Sequence, residues 1–92
     1  MNLEDLINSN EVTIIDVRTN AEFVGGAVTN SLNIPLNEVP EKVGELMKMQ
    51  PMVMCCAAGI RSAQAVNFLK QAGVEKVYNG GSWQEVNSMI KK

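Results

Sequence analysis

The stretch Pro51-Met52-Val53-Met54-Cys55-Cys56-Ala57-Ala58-Gly59-Ile60-Arg61-Ser62 decides how the chain folds and where its chemistry sits. Its first five residues are a short apolar run bounded by proline, which reads as a buried strand. From Ser62 to Ala72, apolar residues at 65, 66, 68, 69 and 72 recur at helical spacing, with Gly73 as a stop signal. Cys56 through Arg61 is then the loop that joins a strand end to a helix start.

That placement has a chemical consequence. The first amides of a helix have no intrahelical partner and present their N–H groups, with the positive end of the macrodipole, to whatever stands in front of them. A thiolate there is favoured over the thiol, so the pKa of Cys56 is expected to fall from the free value of roughly 8.5. Ala57, Ala58 and Gly59 are small enough for a loop to curl with its amides converging on one point, as an anion-binding nest requires. Arg61 adds a positive charge nearby. The plainer alternative is a buried cysteine in an ordinary strand-loop-helix connection. Side chains alternate along a strand, so Cys55 is assigned to the core while Cys56 faces the loop.

The 92 residues, 46% of them apolar, predict one domain spanning 1–92 with a single core. A net charge of −2 with scattered lysines gives no basic stripe, so nucleic acid is not an expected partner. No run approaches the eighteen or so apolar residues of a membrane span. The acidic start Met1-Asn2-Leu3-Glu4-Asp5-Leu6 is unlike a signal peptide, and a cytoplasmic setting is expected. Two adjacent cysteines make a strained disulfide, so both are expected as thiols in a reducing compartment. Histidine is absent. That removes Cys-His and Ser-His dyads and histidine metal sites, leaving a self-activated thiolate or carboxylates, with no metal or cofactor expected.

Leu3 to Ile7 predicts a short helix. Val12 to Val17, nearly continuous in β-branched residues, predicts a central parallel strand covered on both faces. Thr19-Asn20-Ala21-Glu22 and Ser82-Trp83-Gln84-Glu85 have the spacing of capping boxes. Ser31 to Pro35 predicts a brief strand and Val39 to Met49 an amphipathic segment whose methionines fill core. Val74 to Tyr78 predicts another strand, Asn79-Gly80-Gly81 a turn, and residues through Ile90 a last helix carrying Trp83 as a core anchor. Alternating strands and helices argue for an α/β fold, a small and mainly parallel central sheet with helices on both faces. Sites in such sheets form beyond the carboxyl ends of strands, where the cysteine loop lies. Asp16, Arg18 and Glu22 follow another strand end and read as an ion-pair cluster supporting the loops.

Taken in order, Ile14-Ile15-Asp16-Val17-Arg18-Thr19 with Glu22-Phe23, Gly26-Ala27-Val28, Asn33-Ile34-Pro35-Leu36, Cys56-Ala57-Ala58-Gly59-Ile60-Arg61-Ser62, and Val77-Tyr78-Asn79-Gly80-Gly81 with Trp83 resemble the successive signatures of the rhodanese-like domain. The resemblance spans nearly the whole chain. It implies a sulfurtransferase in which Cys56 is the nucleophile that carries a persulfide. The amides of Ala57, Ala58, Gly59, Ile60, Arg61 and Ser62 would hold the sulfur, and Arg61 would help hold an anionic substrate such as thiosulfate. Asp16 and Arg18 fall on the family's structural Asp-x-Arg element. The six-residue loop has the length associated with sulfur transfer, one residue short of the related phosphatases. Ala27 stands where the family commonly has histidine, Cys55 where an aromatic residue is frequent, and Ala57 where a basic or polar residue often follows the cysteine. Weak thiosulfate affinity is expected from so apolar a loop. The implied partners are a small sulfur-containing anion and a thiol, cyanide or sulfur-acceptor protein; a persulfide carrier or interaction module of the same fold is the alternative.

Overall fold

The computed structural model describes residues 2–91; Met1 and Lys92, the end residues of the expected domain, lie outside the described residues. Four strands, β1 (Thr13–Asp16), β2 (Leu32–Asn33), β3 (Met52–Cys56) and β4 (Val77–Ser82), form one sheet in the order β2-β1-β3-β4, with every pair parallel. Parallel neighbours need crossovers, and helices supply cover on both faces. On one face Ile15, Met52, Met54 and Cys56 pack with Leu46 of α3 (Val43–Met47) and with Ala65 and Leu69 of α4 (Ile60–Gln71). On the other, Ile14, Val53 and Cys55 pack with Ile7 of α1 (Leu3–Ile7) and Val86 of α5 (Trp83–Met89). The two-residue alternation of β1 and β3 thus feeds two core layers, which is why both strands read as nearly unbroken apolar runs. Truncating a fully buried member such as Leu69 costs about 2–5 kcal/mol in comparable cores.

The short α2 (Asn20–Val24) is opened by the expected capping box, with Thr19 and Glu22 bonding reciprocally, and Ser82 and Glu85 open α5 in the same way. The segment expected as amphipathic from Val39 to Met49 divides into a 3-10 turn, Leu36–Lys42, with Pro40 inside it, and α3. Proline cannot donate the backbone bond a continuous helix needs there. Trp83 is half-buried against the second core layer and lies 4.9 Å from the Arg18 guanidinium, face to cation.

The loop is shorter than expected, since Cys56 closes β3 and Ile60 and Arg61 already belong to α4, and the last strand differs more. The last strand begins at Val77 and runs through Asn79-Gly80-Gly81, which was expected as a turn. Met54 pairs with Asn79 and Cys55 with Gly81, so Gly80 is the extra residue of a β-bulge. A Cβ on Gly80 would stand 2.6 Å from Val86 Cγ2 and 2.7 Å from Val53 Cγ1, so the glycine there lets strand and helix approach closely. Val74, expected to start the strand, is buried in the first core layer ahead of it. Among the described residues no helix is long and apolar enough to cross a membrane.

Candidate active site

The β3 strand ends at Cys56 and α4 starts at Ile60, so three residues make the turn between them. Gly59 makes that turn possible. Its φ of +90° lies in the left-handed region, and a Cβ there would sit 3.2 Å from the Gly81 Cα. With the chain turned this way, the Gly59 N–H donates to Cys56 Sγ at 3.0 Å and the Ser62 N–H donates to it at 3.4 Å. The Ser62 hydroxyl lies 3.4 Å from the same sulfur. Burial pushes the Cys56 thiol up, but hydrogen bonds from the Ser62 hydroxyl and from the Ser62, Ala58 and Gly59 amides outweigh it, and the pKa falls below the ordinary value.

Cys56 is itself buried, 1% exposed, and Cys55 lies as deep on the other face of the sheet. It is fully buried in the second core layer, and burial followed by the nearby Asp16 charge pushes its thiol up to about 12. Two adjacent thiols are therefore driven apart, one toward its anion and one away from it. Among the described residues neither is bridged.

The loop's other members take different places. Ala57, Ala58 and Ile60 turn their side chains to solvent, Ile60 being 71% exposed. Arg61 points to α2, where Nη1 and Nη2 donate to the two Glu22 carboxylate oxygens at 2.8 and 3.0 Å. This bidentate pair, with the Thr19 N–H behind it, holds the Glu22 carboxyl down to about 2. The positive end of the site is thus supplied by amides while the arginine's charge is matched.

The expected three-residue cluster splits accordingly. Asp16 is fully buried and takes Arg18 Nη2 at 2.7 Å, and Arg18 also donates to the Gly26 carbonyl at 2.6 Å. Glu22 joins Arg61 through its carboxylate and meets Arg18 only through its backbone carbonyl, at 3.4 Å. Asp16 and Arg18 tie the β1 end to the loop before Ala27, and Glu22 ties α2 to the cysteine loop.

Asn79 is the residue the sequence reading passed over. From β4 its Oδ1 accepts the Ser62 hydroxyl at 2.7 Å and the Gly81 N–H at 2.9 Å, while its Nδ2 donates to the Gly59 carbonyl at 3.2 Å. A glycine following it inside an apolar run was the available signal, since such a glycine marks a bulge as readily as a turn.

Beside Arg61 runs a groove of about 300 Å³ lined by Val17, Thr19, Pro35, Leu36 and Asn37. A larger cavity, about 350 Å³, lies elsewhere against Asn8, Ser9, Asn10, Thr29 and Asn30. Its lining carries no titratable side chain.

The family model for the Rhodanese-like domain matches residues 2–88. A sulfurtransferase of Allochromatium vinosum is 34% identical over 80% of this chain and 69% of its own length. The thiosulfate sulfurtransferase GlpE of Shewanella oneidensis is 28% identical over 94% of this chain and 89% of its own. Other curated relatives are longer, and the chain spans 63% and 62% of two of them. Among solved structures, a rhodanese with anions from E. coli superposes with a TM-score of 0.74 at 30% identity, covering 80% of this chain and 89% of that one.

Proposed function

The chain belongs to the rhodanese-like domain family, and on that premise we propose that it is a sulfurtransferase carrying sulfane sulfur as a persulfide on Cys56. The observation that carries this reading is the sulfur cradle, with Sγ within 3.0 Å of the Gly59 N–H and 3.4 Å of the Ser62 N–H. In the first half-reaction the Cys56 thiolate attacks the outer sulfur of thiosulfate or a related donor. The new S–S bond forms as the old one breaks, and sulfite departs with the bonding pair. In the second, a thiol or cyanide acceptor attacks the terminal sulfur and the Cys56 thiolate is restored. Neither step needs a protein base, because amide donors already favour the thiolate, and this suits a chain without histidine.

Holding the donor anion is the proposed task of the Ala57 to Ser62 amides. Arg61 contributes to the extent that its pair with Glu22 opens, so thiosulfate is expected to bind weakly. A reducing, cytoplasmic setting is the one in which this thiol chemistry would run.

The test is the intact mass of the protein after brief incubation with thiosulfate, alongside Cys56→Ser and Cys55→Ser. A gain of about one sulfur atom, reversed by reductant and lost in Cys56→Ser alone, is expected. Loading of Cys56→Ser equal to that of the parent would overturn the assignment. A second reading is favoured by the exposed apolar Ile60 beside Ala57 and Ala58: a persulfide carrier that exchanges sulfur with a partner protein and turns over thiosulfate slowly. Fast, saturable thiosulfate:cyanide activity of the chain alone would count against that.

A further inference from the structure

The Ser62 hydroxyl has one proton and two claimants. Ser62 is fully buried, with Asn79 Oδ1 at 2.7 Å on one side and Cys56 Sγ at 3.4 Å on the other. The orientation of the Asn79 amide is fixed, because the Gly81 N–H it faces can only donate and the Gly59 carbonyl can only accept. Oδ1 therefore faces Ser62, and the shorter contact gives it the hydroxyl proton while Cys56 is a thiol. The thiol then donates its own S–H to the Ser62 oxygen. Once the sulfur is an anion it has no proton to give, and the hydroxyl must turn from Asn79 to serve it.

We propose that Asn79 is a positioning residue that, through Ser62, sets how readily Cys56 exists as an anion and resets the cradle after each sulfur transfer. The proposal rests on the reading of Cys56 as the sulfur-carrying nucleophile. During the cycle Sγ is an anion before attack and, in the persulfide, a neutral sulfur singly bonded to Cβ and to the outer sulfur, which carries the charge. The hydroxyl follows that change: toward Sγ in the thiolate, back to Asn79 Oδ1 in the persulfide. Asn79 also grips the carbonyl of Gly59, whose N–H is the shortest donor to the sulfur. One β4 side chain thereby reaches both ends of the cradle.

Other groups bearing on the Cys56 charge are Arg61 from α4, paired with Glu22 from α2, and Cys55 from β3, which in turn feels the Asp16–Arg18 pair at the end of β1. None of them bonds to Ser62 or Asn79, so substitution at 79 acts through the Ser62 hydroxyl and through the Gly59 carbonyl, and only the first route needs Ser62.

The experiment is the pH profile of Cys56 alkylation by iodoacetamide in the intact chain, read by mass, for Asn79→Asp with and without Ser62→Ala. A carboxylate at 79 holds the hydroxyl proton more firmly, so the midpoint is expected to rise by about one pH unit with Ser62 present. In Ser62→Ala the carboxylate's field and the lost bond to the Gly59 carbonyl remain, and the rise is expected to be half that or less. Asn79→Ala supplies an independent arm. With the competing acceptor removed, the midpoint is expected to fall when Ser62 is present and not to fall when it is absent, where only the lost Gly59 carbonyl bond is left to act. Equal shifts in both backgrounds, or no shift in correctly folded variants, would overturn the proposal. Alkylation reads the thiolate whether or not sulfur moves, so a failure of sulfur loading in the parent would sink the transferase reading separately.

Discussion

Replacing Gly59 with alanine tests whether the cradle depends on the backbone turn that the structure assigns to it. At φ +90° an L side chain is strained, and the new Cβ would stand 3.2 Å from the Cα of Gly81, a backbone atom that cannot swing aside. Holding the native turn is then expected to cost about 1–3 kcal/mol. In a domain of this size each kcal/mol lowers Tm by about 4–8 °C. The loop has one escape, which is to rotate residue 59 out of the left-handed region and carry its N–H away from Sγ. A hydrogen bond to a charged group is worth about 1.5–3 kcal/mol, so that escape raises the alkylation midpoint of Cys56 by about 1–2 pH units. Thermal melting and the pH profile of alkylation, measured on the same Gly59→Ala sample, divide the effect between strain kept and cradle lost. Gly44→Ala is the control: nothing lies within 4 Å of its new Cβ, and alanine is expected to stabilise α3 by about 0.5–1 kcal/mol. If Gly59→Ala leaves both Tm and midpoint at the parent values, the cradle does not rest on this glycine and the reasoning fails.

Gly80→Ala is expected to destabilise by about 1–3 kcal/mol in urea titrations, since its methyl group is driven into Val53 and Val86; an unchanged midpoint would mean that the bulge can shift. Glu22, lowered from 4.5 to about 2, adds stability above its ordinary range that is lost as pH falls from 4.5 toward 2. Glu22→Gln is expected to lack that part of the acid slope. Cys55, raised from 9.0 to about 12, keeps its proton in the folded state while the unfolded chain ionises, so stability falls as pH rises from 9 to 12. Melting of Cys55→Ala across that range is expected to be flatter than that of the parent. At neutral pH in the native state, iodoacetamide is expected to label Cys56 and leave Cys55 untouched, as peptide mapping would record.

The strand-loop-helix unit was legible because its signals are local. An apolar run, a glycine in the turn and helical spacing after it suffice to place β3, the loop and α4, and strand alternation separates Cys55 from Cys56. The capping boxes at Thr19 and Ser82 were legible for the same reason. What escaped the sequence is what depends on contacts between distant segments. Asn79-Gly80-Gly81 has the composition of a turn, and only the packing of Val53 and Val86 around Gly80 makes it a bulged strand. Arg61 looks like a lone cation until Glu22, thirty-nine residues earlier, is brought against it. The sign of the Cys56 shift was readable from its place before a helix, whereas the competition for the Ser62 proton requires a side chain from another strand.

The surroundings of the Cys56 thiol are assembled from three widely separated parts of the chain: α2 with Glu22, the Cys56–Ser62 loop, and the β4 residues Asn79 and Gly81. Parallel pairing makes every one of these contacts non-local, and such contacts form late because loop closure precedes their reward. A growing chain on the ribosome that has emerged through α4 but not β4 lacks Asn79 against Ser62 and the Gly81 backbone against Gly59. Its Gly59 turn and Ser62 hydroxyl then lack the β4 groups that hold them in the finished site. The arrangement around Cys56 is therefore complete only when the C-terminal strand has docked.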